Sequence, residues 1–411
     1  MKIAIFTDVF LEVPGGIPSS IKAQRKSLEE LGHTVTIFCP GFKIPKGEKN
    51  IEIVPTHKHI RANGAPLSKS PEIVEKWVRE KFPMFDFDLV HVHYEAGCSL
   101  AGARLARQYK IPLVQTMHGR EDMAVAINIP HPFKTIVALT LNRLHRSYIP
   151  HEKLIPYDDD LAPTVARARM WTMMVSHANY ADQVITPSKH FANKLKQYGV
   201  KKPITVVSNG VADEMVKKLG KSEEKLVRKM KPGDTLKIFW NSRISREKRI
   251  IPFLQAMALM KEPCELSACG DGNELNAAKN YAKRHKIKAK FYGRVPHEEM
   301  LNKMLDQHIS ATVSYGFDTQ GLTLLEAEAT GMPVFFCDPD MRESVPGGGY
   351  VISDGASPEQ MADALDRLCR YPERIEKMSR VMLKNRESIL QSTQIKKLIG
   401  VYEAALKSQR K

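Results

Sequence analysis

The chain opens on a short apolar run, Lys2-Ile3-Ala4-Ile5-Phe6-Thr7, and then on Pro14-Gly15-Gly16-Ile17-Pro18-Ser19-Ser20. Ile17, Ile21, Leu28 and Leu31 follow at helical spacing, Gly32 stops the helix, and Thr34-Val35-Thr36-Ile37-Phe38-Cys39 reads as a second strand. Strand, glycine loop, helix, strand is the opening unit of a doubly wound sheet, in which ligands sit beyond the carboxyl ends of the strands. Further strands are predicted after the acids of Asp86–His93, over Ile111–His118, and within Ala181–Ser188, which reads as a strand and then a helix start. The pattern restarts at Leu236-Lys237-Ile238-Phe239-Trp240, and helices fill the chain from Pro358 onward. Between these halves, residues 214–234 are rich in lysine and glutamate and predict a solvated helix and a turn at Pro232-Gly233.

The densest pattern runs from Ser314 to Val334. A loop holding Gly316 and Gly321 feeds a run of helix formers, Gly331 and Pro333 close it, and the strand-like Val334-Phe335-Phe336-Cys337 follows. A helix start of this kind presents backbone N–H groups and a positive dipole end, which suit phosphate. Asp318 and Glu326 flank it, eight residues or ~12 Å apart if helical, enough for one carboxylate to meet a sugar and the other a ribose. An amphipathic helix with solvated acids fits the same pattern. After Trp240, Asn241-Ser242-Arg243-Ile244-Ser245-Arg246-Glu247-Lys248 places cations at a strand end, where they suit a diphosphate; Arg246 and Arg249 also read as plain surface charges. Asp86-Phe87-Asp88 followed by His91 and His93 has the look of a metal pair, yet the acids precede a buried strand rather than end one, which favours an ordinary strand.

At 411 residues the chain is long for one core and implies two domains of roughly 200 residues. A composition 43% hydrophobic and 26% charged is that of a soluble globular protein, and no apolar run reaches the roughly 18 residues of a membrane span. Asp8 and the lack of a small-residue cleavage site make the opening run a strand rather than a signal peptide, so a cytosolic protein is expected. Cys39, Cys98, Cys264, Cys269, Cys337 and Cys369 show no paired ligand spacing and are expected as free thiols. The net charge of +16 is spread over both halves; it suits nucleic acid or anionic lipid equally and does not choose between them.

The Asp318-to-Glu326 segment, with Leu325-Glu326-Ala327 at its end, resembles the signature of retaining family-four glycosyltransferases of the two-Rossmann, GT-B type, except that Asp318 stands where the family usually has glutamate. The continuation Thr319-Gln320-Gly321-Leu322 is similar to bacterial glucosyltransferases that act on diacylglycerol. The resemblance extends to the Gly-Gly loop, to Ile204–Val211 as the crossing between domains, to Ala268-Cys269-Gly270-Asp271-Gly272 and to Tyr292-Gly293-Arg294-Val295-Pro296. It implies an α/β fold of two Rossmann-like domains facing a central cleft, residues 1–205 on the acceptor side and 206–385 on the nucleotide-sugar side, with residues 386–411, including Ile395, Leu398, Ile399 and Tyr402, returning to the first domain. It further implies His118, Arg243, Lys248 and Asp318 in catalysis, and Gly16, Asn209, Gly270, Gly272, Arg294, Thr319, Gln320, Gly321, Leu322 and Glu326 in holding the donor. The implied reaction moves a hexose from a nucleotide diphosphate, UDP-glucose in this reading, with retention. No carboxylate is placed for a covalent intermediate, so same-face displacement is expected, with Arg243, Lys248 and the helix start stabilising the leaving phosphate; no cofactor and no metal is required.

The acceptor is less legible. Phe133, Ile136, Val137, Leu141 and Leu144 form an apolar face near Lys134, Arg143 and Arg146, with Arg167, Arg169, Met170 and Trp171 beyond the acidic Asp158-Asp159-Asp160. These residues suit either a membrane interface or a core helix with one wet face. A lipid acceptor on an anionic inner membrane face is the expectation, and a soluble acceptor is the alternative with the same chemistry. A nucleotide-sugar epimerase shares the architecture but not the signature. Binding of nucleic acid has only the charge in its favour, without basic and aromatic interleaving.

Overall fold

Two parallel sheets organise the chain. The structure, a computed structural model, describes every residue except Pro14, Pro45, residues 63–64, 157–161, 220–222 and 410–411, so Asp158-Asp159-Asp160 lies outside the described residues. The chain divides into one unit of Met1–Asn209 with Gln391–Lys411 and a second of Gly210–Leu390.

In the first unit the strands are β1 (Lys2–Phe6), β2 (Thr34–Pro40), β3 (Ile51–Val54), the antiparallel pair β4 (Thr56–Ala62) and β5 (Ala65–Ser68), β6 (Leu89–Val92), β7 (Leu113–Thr116), β8 (Gln183–Thr186) and β9 (Ile204–Val206). Seven of them form a parallel sheet in the order β3-β2-β1-β6-β7-β8-β9. Alternation along each strand divides the core in two. Ala4, Phe6, Phe38, Val90 and Val92 face one side, where Phe6 stacks on Phe38 at 4.4 Å. Ile3, Ile5, Val35, Ile37, Leu89 and Val114 face the other, and there Ile395, Leu398, Val401 and Tyr402 of the helix Gln391–Gln409 cover them. A sheet covered on both faces needs apolar residues at consecutive positions, which is why the strands read as continuous apolar runs. Gly102 is where helix Gly97–Gln108 touches the sheet; a Cβ there would lie 2.3 Å from the Phe6 ring.

The second unit repeats the plan with β10 (Leu236–Trp240), β11 (Cys264–Cys269), β12 (Ala289–Gly293), β13 (Ile309–Thr312), β14 (Val334–Phe336) and β15 (Tyr350–Ile352), all parallel in the order β12-β11-β10-β13-β14-β15. Each order reverses once, between β1 and β6 and between β10 and β13. The loops leaving those strands therefore splay to either side and leave a crevice at their carboxyl ends.

Four local expectations are corrected. Leu31 is exposed, because helix Gly16–Glu30 ends before it and Gly32, at φ +82°, turns the chain away. The stretch 214–234 is not wholly solvated: Leu226 and Met230 are buried, and the buried Arg228 donates to the Leu226 and Met304 carbonyls. Arg249 is no plain surface charge, since its guanidinium donates to the carbonyls of Val313 (3.3 Å) and Ala356 (2.6 Å). The segment 130–171 splits. Helix Val165–Tyr180 buries Met170 and Trp171, and Arg167 is engaged by Asp122 at 2.9 Å. Helix Phe133–Tyr148 instead packs inward through Ala138, Asn142, His145 and Tyr148, leaving Phe133 and Ile136 about 60% exposed and Leu139, Leu141 and Leu144 exposed beside them.

Candidate active site

The reversal of strand order in the second unit decides what meets what. The loop after β10 carries Asn241, Arg243 and Lys248; the loop after β13 carries Tyr315 to Gly321 and opens helix Leu322–Ala329. Lys248 Nζ lies 2.6 Å from Asp318 Oδ1, with both side chains largely enclosed, and the ammonium also stands 5.5 Å from the centre of the Phe317 ring. Burial pushes the Asp318 carboxyl up, but Lys248, with lesser help from the Ser314 side chain and from Arg243, outweighs it and holds the group below its ordinary range. Oδ2 of Asp318 is buried with no hydrogen-bond partner among the described residues, so this carboxylate has acceptor capacity left for a ligand hydroxyl.

Asp318 is not on the helix. Helix Leu322–Ala329 starts four residues later, after its N-cap Gly321, so the ~12 Å separation predicted for a continuous helix does not apply; only Leu322 to Glu326 rises at 1.5 Å per residue. The Lys248 contact and Gly316, at φ +63° with its N–H donating to Asp338 Oδ2 (2.7 Å), shape this loop instead. Thr319, Gln320, Gly321 and Leu322 therefore lead into a helix whose N-cap has no side-chain hydrogen bond. Glu326, one turn inside, accepts from Asn241 Nδ2 at 3.0 Å and pairs with His297 Nε2 at 2.8 Å, and the hydrogen bond to Glu326 raises the proton affinity of His297 against its partial burial. Asn241 and His297 are the residues that sequence reasoning missed. Asn241 stood at a strand end and was findable on that ground; His297, 29 residues before Glu326 at the first position of helix His297–Leu305, carried no signal.

Arg243 is half-exposed and reaches Glu247 at 3.0 Å. Gly270 and Gly272 have a steric reason to be glycine: a Cβ on either would stand 2.1–2.2 Å from the carbonyl oxygens of Ser242 and Ile244. They let the loops after β10 and β11 lie against each other, with Ile244 N–H donating to the Asp271 carbonyl at 3.0 Å. Arg294 is exposed just past β12.

The remaining predicted residues, Gly16, His118 and Asn209, belong to the first unit. Gly16 opens helix Gly16–Glu30 beyond β1, His118 follows β7, and Asn209 is the last residue before the chain passes to the second unit. His91 on β6 and His93 just past its end are buried and bonded to one another and to His118, Thr116 and Tyr402; Asp86 and Asp88 face Lys2 instead. In this unit Asp8, between β1 and the first helix, accepts from the backbone N–H groups of Ala96, Cys98 and Ser99 at the start of helix Gly97–Gln108.

Two doubly wound domains with acids, cations and a helix start at the switch point of the second describe a glycosyltransferase of the two-Rossmann class. Comparison with known proteins agrees: Glycosyltransferase Family 4 matches residues 14–214 and Glycosyl transferases group 1 matches residues 221–384. Together the two matches span most of the chain, which is a glycosyltransferase. It is 28% identical over 352 residues to the alpha-monoglucosyldiacylglycerol synthase of Streptococcus pneumoniae (81% of this chain, 70% of that protein). It is 23% identical over 350 residues to the enzyme of the same name from Acholeplasma laidlawii (81% and 79%). Among solved structures, HepE of Anabaena in complex with UDP-glucose superposes with a TM-score of 0.68 at 15% identity, covering 98% of this chain and all of that one.

Proposed function

We propose that this glycosyltransferase moves glucose from UDP-glucose to a membrane lipid, diacylglycerol or a close relative, with retention of anomeric configuration. Lys248 and Arg243 would hold the diphosphate, Asp318 the hexose through its remaining acceptor capacity, and Glu326, steadied by Asn241 and His297, the ribose. The acceptor hydroxyl attacks the anomeric carbon on the face that the phosphate leaves; the departing phosphate oxygen takes the hydroxyl proton, and fixed cations and the helix start meet its growing charge.

The observation that carries the lipid acceptor is the outward apolar face of helix Phe133–Tyr148. Phe133, Ile136 and Leu144 share that face, and exposed Arg143 and Arg146 flank it. Among the described residues, every exposed large apolar side chain except Leu259, Tyr315 and Tyr371 belongs to the first unit. A face of this kind lies in a bilayer interface with its cations on anionic headgroups. No described helix is long and apolar enough to cross a membrane. The names of the two curated relatives support the same acceptor. The test is sedimentation with anionic and neutral vesicles at low and high salt, together with transfer of labelled glucose to vesicle lipid or to soluble acceptors. Salt-sensitive binding to anionic vesicles and lipid labelling are expected. Absence of vesicle binding at low salt, with efficient labelling of a soluble acceptor, would refute the lipid reading and leave the transferase.

A further inference from the structure

The switch point of the first unit, between β1 and β6, collects carboxylates. Asp8 follows β1, Glu95 follows β6 and Glu121 follows β7, and these three strands are neighbours in the sheet. Two of the acids have partners within the fold. Asp8 accepts from the N–H groups of Ala96 (3.3 Å), Cys98 (2.6 Å) and Ser99 (3.3 Å) at the start of helix Gly97–Gln108, and Glu121 accepts from the Tyr94 hydroxyl. Glu95 is different. It is only 5% exposed, and it has neither a hydrogen bond nor an ion pair among the described residues. Its carboxylate oxygens are not sealed within protein, so they open on the crevice. Burial first, and then the charges of Glu121 and Asp8, push the Glu95 carboxyl well up, with no cation offsetting them.

A buried carboxyl without a donor costs stability that the fold does not return, and the missing donor points to a ligand group. The neighbours limit what that group can be. Asp8 and Glu121 repel phosphate and any other anion. A metal ion does not fit, since among the described residues no three His, Cys, Asp or Glu side chains are arranged to hold one. An uncharged hydroxyl meets both conditions, and a hydroxyl is what glycosyl transfer must present to the anomeric carbon. We propose that Glu95 receives the free hydroxyl of the acceptor, and that the acids beside it restrict the acceptor to a neutral glycerolipid, against phospholipids whose headgroup sets a phosphate near the hydroxyl. The assignment rests on the lipid acceptor proposed above and narrows its class. Glu95 orients the hydroxyl, whose proton still passes to the departing phosphate.

The test compares the full-length wild type with Glu95→Leu, which removes both oxygens and leaves no partner unpaired. Vesicles of phosphatidylcholine and phosphatidic acid, neither of which carries a free alcohol, receive either diacylglycerol or phosphatidylglycerol, and transfer of labelled glucose from UDP-glucose is followed. The wild type should label diacylglycerol at least tenfold faster than phosphatidylglycerol. Glu95→Leu should melt at or above the wild-type temperature, because an unpaired carboxyl gives way to an apolar group, and should keep the thermal shift that UDP-glucose produces. Its kcat/KM for diacylglycerol should fall about tenfold or more, the usual loss of one hydrogen bond to a charged group, and Glu95→Gln, which retains an acceptor oxygen, should recover part of that loss. Unchanged diacylglycerol kinetics in Glu95→Leu, a lowered melting temperature together with loss of the UDP-glucose shift, or equal labelling of the two lipids by the wild type overturns the assignment. A wild type that labels only soluble acceptors refutes the lipid reading itself, and the assignment with it.

Discussion

Glu328, two residues past the proposed ribose ligand, has no exposed surface, and neither of its carboxylate oxygens has a hydrogen-bond partner among the described residues. Burial alone pushes this carboxyl from its ordinary 4.5 up to about 8. The folded group thus holds its proton more tightly than the unfolded one, so its stability contribution is fully present below about pH 4.5 and is lost as pH rises through about 8. Each pH unit in that window costs about 1.4 kcal/mol, which comes to about 3 kcal/mol at pH 7 and under about 1 kcal/mol at pH 5. Glu328→Gln replaces a neutral acid by a neutral amide of the same shape, so its packing cost is the same at every pH and the pH-dependent part of the difference isolates the ionisation. Thermal unfolding of wild type and Glu328→Gln should be compared from pH 5 to 9, following the transition of the 210–390 unit. The variant should gain roughly 5–10 °C on the wild type between pH 5 and 7, at roughly 2–4 °C per kcal/mol for a domain of this size. Parallel melting curves across that range would show that Glu328 is solvated or paired, and the argument would fail.

Three further outcomes follow from the site and the exposed helix. Glu326→Gln and Lys248→Ala should each lower transfer about a hundredfold with the fold retained by circular dichroism, the usual loss of one preorganised charged contact; near-normal turnover in both would remove the proposed site. Asp318→Glu lengthens by one methylene a carboxylate held 2.6 Å from Lys248, and should shift the donor KM or the choice of sugar; unchanged kinetics across several donors would show that Asp318 does not touch the hexose. Arg143→Glu with Arg146→Glu should weaken partition onto anionic vesicles several-fold or more at low salt, at about 1 kcal/mol per basic residue lost, and should have little effect on neutral ones; equal loss on both would point to an unfolded helix rather than lost attraction.

Much of this protein is local, and what is local was legible. Strands buried on both faces write themselves as apolar runs, and glycine and proline mark where they end. The two repeats, the helix before Gly331 and the loop–helix–strand order of the signature could therefore be read in sequence order. What the pattern could not tell is whether an apolar stripe has a surface to cover it. Helix Gln391–Gln409 and helix Phe133–Tyr148 both show such stripes. The first buries Leu398 and Tyr402 on the sheet; the second turns Phe133 and Ile136 outward, because it packs through Ala138, Asn142 and His145 instead. Nor does spacing along the chain foretell partners across it. Glu326 meets Asn241, 85 residues away, and His91 meets Tyr402, 311 residues away, because crossover connections bring strand ends and a returning helix together. Residue types and periodicity thus determined the class of fold and the stretch holding the acids. The charge of a buried glutamate and the direction of an apolar face are set by desolvation and by packing partners, and those exist only once the chain has packed.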